Sequence, residues 1–529
     1  MMKVLVSDPV SEKGVALLKE QFEVDVKTKL PVEELIRIIP EYDGLVVRSE
    51  TKVTAPVLDA AVKLKVIGRA GVGVDNIDVE YATKKGVIVL NAPEGNTMAA
   101  TEHSVAMMMS MARNIPQAHA TMQEGKWERG KFMGVELRGK TLGILGLGRI
   151  GTGVAKRALA LEMRVLAYDP FINVEAAQAL GIEVAEMDEI FAQADFITLH
   201  LPKTNQTKNL ITKDVFAKMK KGVRIVNCAR GGVINEADLA AAVQEGIVAG
   251  AAIDVFESEP IQEGNPLIGL PNVIVTPHLG ASTVEAQVGV AVDVAHGIVA
   301  ALKGEPVTTA VNMAAIPAHV LKKLRPYLNL AERMGCLAVH LAEGRMTAIQ
   351  IEYNGDIGDV DTRMLTTGVL KGCLNPILQE AINYVNAPGL AKARNIEVKE
   401  IKTKEAANFA NQITVRLITD KGEHSVSGTL FGKAEARIVM IDGYRVDVQP
   451  GGWLLTCPHV NRPGIIGKVG TMLGEEGVNI SSMQVGLTEV EGTSIMVLGV
   501  DSDVPNAVLL KLKGIDGIYD AKLINFDAR

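Results

Sequence analysis

Three stretches in the middle of the chain end apolar runs in groups that can do acid, base or electrostatic work. They are Asn227-Cys228-Ala229-Arg230, Asp254-Val255-Phe256-Glu257-Ser258-Glu259-Pro260 and Pro277-His278-Leu279-Gly280-Ala281. An arginine fork holds a carboxylate through two parallel hydrogen bonds and polarises a neighbouring carbonyl. An imidazole moves a proton near neutral pH. A carboxylate beside the ring orients it and favours its charged form. Arg230, His278 and Glu259 supply these three groups, and the set suits the removal of a hydride and a proton from a 2-hydroxy acid. Each residue alone reads as an ordinary solvated charge. What points to a site is their recurrence at successive strand ends, where open α/β sheets bind ligands.

A hydride needs an acceptor, and the stretch from Thr141 to Asp169 provides a place for one. Leu142 to Leu145 predict a buried strand. Gly146, Gly148 and Gly151 then fit G-x-G-x-x-G, with Val154, Ala158 and Leu161 on one face of a following helix. Gly146 permits the tight turn, Gly148 admits a pyrophosphate to the backbone, and Gly151 lets helix and strand pack closely. The helix N-terminus turns free N–H groups toward the phosphates. Asp169 ends the next strand, 18 positions after Gly151 (169 − 151). It can accept from ribose hydroxyls and repels a 2′-phosphate. No Arg follows it, which favours NAD over NADP.

The elements that must hold these groups repeat in a strand–helix rhythm. Candidate strands at 3–7, 22–26, 44–48, 64–69 and 87–90 predict a first parallel sheet. Six more from 142 to 276 predict a second, in a doubly wound domain. Ser282-Thr283-Val284-Glu285 fits a capping box. It opens a helix carrying Val284, Val288, Val292, Ala295 and Val299, long enough to return the chain to the first sheet. The expected division is 1–97 plus 284–312, then 98–283, 313–450 and 453–529. A linker at 306–317 contains Pro306 and Pro317. Region 318–450 reads as helices at 318–342 and 361–384, followed by strands at 396–402, 412–419, 424–430 and 436–448. It shows no motif for chemistry. The last 77 residues read strand, helix, strand, strand, helix, strand, a ferredoxin-like βαββαβ order.

Composition bounds the partners. With 529 residues and 47% hydrophobic residues, several cores can form. A net charge of −7 and 4% aromatics give no reason to expect nucleic acid or an anionic membrane. The four cysteines, Cys228, Cys336, Cys373 and Cys457, have no zinc spacing, so no metal is expected and free thiols are. Lacking an apolar leader or an 18-residue apolar run, the chain reads as soluble and cytoplasmic.

The motifs at 146–151, 227–232, 254–260 and 277–283 resemble the D-isomer-specific 2-hydroxyacid dehydrogenases. Across essentially the whole chain the likeness is to their long form, with an intervening domain and a terminal ACT domain. The fold this implies is α/β: two doubly wound parallel-sheet domains (Rossmann and flavodoxin-like), then an α+β domain, then a ferredoxin-like ACT domain. The activity it implies is oxidation of 3-phosphoglycerate to 3-phosphohydroxypyruvate with NAD, which opens serine biosynthesis. Another hydroxyacid dehydrogenase, such as a glyoxylate/hydroxypyruvate reductase, or a non-catalytic NAD-sensing corepressor are the alternatives.

By the same resemblance Arg230 binds substrate, His278 is the general acid/base and Glu259 supports it. The implied cofactor set adds Arg149, Ile150, Leu201, Cys228, Ala229, Asp254, Leu279, Gly280 and Ala281 to the glycines and Asp169, with Arg230 and His278 shared. Arg48, Arg69 and Arg129 match basic positions that take the substrate's phosphate, and Gly71 and Asn96 lie in substrate-side turns. In the terminal domain His459, Asn461 and Asn479 match positions that hold L-serine as a feedback inhibitor. A homotetramer is implied as well.

Overall fold

The computed structural model describes residues 1–529 except 306, 315–317, 379–380, 406–408, 433, 489–491 and 528–529. The expected linker at 306–317 therefore falls partly outside the described residues, Pro306 and Pro317 included.

The first sheet is parallel, with strands Lys3–Val6, Glu23–Val26, Gly44–Val47, Val66–Arg69 and Ile88–Asn91. Written by position, the order is 2-1-3-4-5, the flavodoxin-like winding. Its central strands are apolar runs because helices cover both faces, and Gly44–Val47 is buried at every residue. Helix Val284–Leu302 covers one face. Thr283 caps it by accepting the Ala286 N–H at 3.2 Å, so the cap is one residue later than the capping-box reading placed it. A Thr cap contributes about 1 kcal/mol. The buried stripe is Ala286, Val290, Ala291, Val294, Ala295, Ile298 and Leu302, while Val284 is exposed. The stripe thus runs beside the one predicted, sharing Ala295. Burying Val290, Val294 and Ile298 is worth roughly 1.5–3 kcal/mol each. The approach is close: a Cβ on Gly68 would stand 2.5 Å from Val294. This packing accounts for the one helix among the described residues long and apolar enough to cross a membrane.

Helix Thr97–Ala112 carries the chain to the second sheet. That sheet has seven parallel strands, Thr141–Leu145, Arg164–Tyr168, Glu183–Val184, Phe196–Leu199, Val223–Asn227, Val248–Ile253 and Val273–Val275. Their order is 3-2-1-4-5-6-7 by position, the doubly wound arrangement with one added strand. Six were expected. The seventh, Glu183–Val184, is two exposed residues at the edge, too short to show a period. Between helix Ile115–Gln123 and the second sheet lies a short 3-10 turn, Arg129–Phe132.

The remainder builds one ten-stranded sheet. Strand Met346–Gly355, missed in the sequence, pairs parallel with Glu397–Thr403 and antiparallel with Asn411–Thr419. Gly422–Phe431 follows. The run at 436–448 is a hairpin, Glu435–Ile441 and Tyr444–Val448, turned by Asp442-Gly443. Helix Arg363–Leu374 ends ten residues before the expected limit. It crosses helix Ala318–Leu341 so closely that a Cβ on Gly372 would lie 1.9 Å from the Glu332 carbonyl. The terminal βαββαβ unit uses strands Trp453–Val460, Ile480–Leu487, Thr493–Val500 and Lys522–Asn525. Its sheet continues the preceding one through a single pair, Arg445 with Leu487. Leu454, Ile495, Val497 and Ile524 belong to the same core as Ile349, Val369 and Val415.

Candidate active site

The glycine turn can be tested position by position. Gly146 has φ +97°, and a Cβ on it would meet the His200 carbonyl at 2.6 Å. A Cβ on Gly151 would meet the Gly146 carbonyl at 2.1 Å. Both glycines are required by the protein itself. A Cβ on Gly148, the residue before helix Arg149–Ala160, would meet nothing within 4 Å. That opening lies where a pyrophosphate reaches the helix N-terminus, so the residues fit a dinucleotide. Asp169 accepts the Leu147 N–H and the Phe171 N–H, each at 2.9 Å and each on a different oxygen. Each oxygen keeps a lone pair for a ribose hydroxyl. Ile150 lies in the first turn of that helix, Leu201 lines the Gly146 turn, and Arg149 stands 3.2 Å from Glu94 across from helix Thr97–Ala112.

The three charged strand ends belong to neighbouring strands in register: Asn227 pairs with Ile253, and Ile253 with Val275. Their loops leave the same edge of the sheet, with strands about 4.8 Å apart. Asn227 braces the first loop, accepting the Ala229 N–H at 3.1 Å and donating to the Arg230 carbonyl at 3.0 Å. In the third loop His278 has φ +54°, a conformation side chains rarely adopt. Its Nδ1 lies 2.7 Å from Glu259 Oε2. Burial alone would raise the Glu259 pKa, but the His278 ring and the Phe256 N–H outweigh it and hold the carboxyl below its usual range.

Asp254 fixes that third loop. It is fully buried. Oδ1 accepts from Thr276 Oγ at 2.5 Å and the Leu279 N–H at 2.8 Å, and lies 3.1 Å from His103 Nε2. Oδ2 accepts the Gly280 N–H at 2.9 Å. Its carbonyl accepts the His278 N–H. The carboxylate therefore clamps the turn from Thr276 through Gly280. Cys228 adjoins it, and burial pushes the thiol up to about 12. His103, Cys228 and Asp254 have ligand atoms within 4.8 Å of one another. Oδ1 already serves three partners and burial keeps the thiol protonated, so His103 and Asp254 form a hydrogen-bonded pair with Cys228 beside it. His103 gave no signal in the sequence, because a lone His in an apolar helix reads as core.

Arg48, Arg69 and Arg230 converge. Arg69 Nε donates to the Arg48 carbonyl at 3.2 Å, and Arg48 Nη1 donates to Gln287 of the long helix at 3.2 Å. Burial, then the positive charge of Arg230, brings the Arg69 pKa down to about 10, against the pull of Asp75 and Asp8. Gly71 lies against Arg69, where a Cβ would be 1.7 Å from Nη1. Asp8, buried, ties down the loop after Arg48 through the Arg48 N–H at 2.6 Å. Such crowded cations suit a polyanion. Asn96 sits at the start of helix Thr97–Ala112 with a buried Oδ1 that has no partner among the described residues. Arg129 is exposed, and among the described residues nothing pairs with it.

In the terminal unit His459 is buried. Its Nε2 and the Oγ of Ser494, its partner on the adjacent strand, both lack hydrogen bonds among the described residues. Asn461 follows that strand, and its N–H donates to the Gly492 carbonyl. Asn479 is exposed and donates to Asp501 at 2.5 Å.

A doubly wound sheet with a dinucleotide turn, an imidazole–carboxylate pair and an arginine at adjacent strand ends define a nicotinamide-dependent 2-hydroxyacid dehydrogenase. Residues 105–280 match the D-isomer specific 2-hydroxyacid dehydrogenase NAD binding domain, 323–442 the D-3-phosphoglycerate dehydrogenase intervening domain, and 454–517 the ACT domain. D-3-phosphoglycerate dehydrogenase of Synechocystis is 48% identical, covering 98% of this chain and 94% of its own. The enzyme of that name from Methanocaldococcus jannaschii is 47% identical over 99% and 100%. Among solved structures, TT0316 from Thermus thermophilus (32% identity, TM-score 0.54) matches 59% of this chain and all of its own. A glyoxylate reductase from Paecilomyes thermophila (29%, 0.55) matches 59% and 98%. The chain belongs to the D-3-phosphoglycerate dehydrogenase family.

Proposed function

We propose that the protein oxidises 3-phosphoglycerate to 3-phosphohydroxypyruvate, the entry into L-serine synthesis. The observation that carries the substrate is the crowding of Arg48, Arg69 and Arg230, more positive charge than one carboxylate requires. Arg230 holds the carboxylate, while Arg48 and Arg69, with Gly71 and Asn96, take the phosphate end. His278 accepts the hydroxyl proton at Nε2, because Nδ1 is held by Glu259. NAD, when bound, would supply the hydride acceptor. Asp169 and the glycine turn would hold the adenosine side, and the Asp254 clamp on 276–280 steadies the loop that carries His278.

We further propose four domains, 1–97 with 284–312, 98–283, 313–450 and 453–529. In support of the first, the Val89 N–H donates to Asn312 Oδ1 at 2.9 Å, returning residue 312 to the first sheet. Self-association to a tetramer is supported by Ile115, Met122, Trp127 and Met133, all exposed along 115–133. Serine feedback at His459, Asn461 and Asn479 is supported by the two buried groups, on His459 and Ser494, that have no hydrogen-bond partner among the described residues. The four free thiols suit the cytoplasm.

The deciding experiment is NADH oxidation with phosphohydroxypyruvate beside unphosphorylated hydroxypyruvate. The expected result is a strong preference for the first, much reduced in Arg69→Ala. Equal rates with both would remove the phosphate assignment.

A further inference from the structure

One charged group at the mouth of the cleft has no part in the proposed reaction. Asp75 Oδ2 lies 3.2 Å from Arg230 Nε. Its side chain is 65% exposed, against 29% for the arginine. The pair therefore faces water on the acid's side and opens at little cost. Gly73 lies against both members. A Cβ there would stand 2.1 Å from Arg230 Nη2 and 2.8 Å from Asp75 Oδ2, so only bare backbone leaves room for the contact.

The two acids near the arginines differ in their commitments. Asp8 is buried and takes the Arg48 N–H, the Thr51 N–H and the Thr51 hydroxyl. Asp75, among the described residues, has Arg230 as its one ion-pair partner. It opposes the mutual repulsion of the guanidiniums, and among the described residues nothing else anchors its carboxylate. The exposed carboxylate occupies the Nε side of a guanidinium that a ligand carboxylate would also use.

We propose that Asp75 is a displaceable stand-in for the substrate's carboxylate, holding the Arg230 guanidinium until a 2-hydroxy or 2-oxo acid takes its place. The proposal rests on the reading of Arg230 as the carboxylate-binding group. Asp75 is then a positioning residue with a competitive effect. It keeps the cation in place in the free enzyme, and every carboxylate ligand must displace it. It lowers apparent affinity without entering the hydride step.

The test uses full-length Asp75→Asn, Asp75→Glu and Arg230→Ala chains. NADH oxidation is measured with phosphohydroxypyruvate and with hydroxypyruvate. Binding of oxamate to the NADH-loaded protein is followed by the fluorescence of bound NADH. Asparagine keeps the shape and removes the charge. Losing a competitor worth one exposed ion pair should lower KM for both substrates about five-fold. It should tighten oxamate to the same degree, with kcat and the KM for NADH unchanged. Glutamate should return KM toward the wild-type value. In an Arg230→Ala background Asp75→Asn should leave oxamate binding unaltered. A gain confined to the phosphorylated substrate would place the effect at the phosphate and overturn the proposal. So would a KM that stays the same or rises. The premise is tested separately: if Arg230→Ala alone binds oxamate normally, the reading of Arg230 is wrong whatever Asp75→Asn does.

Discussion

His278 and Asp254 divide the work of the third strand-end loop between an exposed ring and a buried acid. His278→Ala removes the group proposed to move the proton while leaving the loop's backbone bonds to Asp254. The expected result is a fall in kcat of about 10²–10⁴ with NADH affinity, read by fluorescence, unchanged. Asp254→Asn should act through the loop. An amide placed there turns an N–H₂ toward the Gly280 or Leu279 N–H, at a cost of about 1–3 kcal/mol, visible as a lower unfolding midpoint. Its pH dependence has a definite sign. Burial alone would raise the Asp254 pKa, but His103, Thr276 and the Leu279 N–H together lower it from 3.8. A lowered folded pKa means that its stabilisation is present above pH 3.8 and is lost as pH falls through the folded value. Wild type should therefore lose stability steeply below that pH, and Asp254→Asn should lack that part of the slope. Arg230, Glu259 and His278 were legible because charged groups at the ends of apolar runs stand out. Asp254 was legible only as a site residue, since its task, four contacts to backbone and side chains 20 or more residues away, leaves no local pattern.

Among the elements, the glycine turn gives the cleanest contrast. Gly151→Ala must push against the Gly146 carbonyl, so it should lower the unfolding temperature and NAD affinity together. Gly148→Ala meets no protein atom and should keep the unfolding temperature while weakening NAD binding. Calorimetry beside NADH titration separates the two. If Gly148→Ala bound NADH normally, the pyrophosphate would not lie at that backbone. The parallel strands were readable as apolar runs because both faces are covered. Strand Met346–Gly355 was not. It alternates buried and half-buried positions between two long helices, and its polar residues Thr347, Gln350 and Glu352 obscured the period. The long helix was found, but its buried stripe was misplaced. Val and Ala occur on every face of it, and only contact with Gly14 and Gly68 decides which side turns inward.

At the scale of the molecule, the C-terminal 77 residues look separable in sequence, set off by Gln449-Pro450-Gly451-Gly452. Packing joins them to the region before. Leu454, Ile495, Val497 and Ile524 help close the core of the preceding region, and Arg333 donates to the Pro450 carbonyl across the junction. Truncation after residue 450 should therefore lower the unfolding temperature of what remains and expose apolar surface to dye binding. An independent terminal domain would leave both unchanged. Pairing across a break through one residue pair is beyond any local reading of the chain.

The shared core also bears on descent. The solved relatives that match 59% of this chain are themselves matched over almost their full length, so the two parallel-sheet layers stand complete without the rest. The last two units do not divide in the same way, because each leaves an apolar face bare without the other. The two are most simply inherited, or lost, as a single piece.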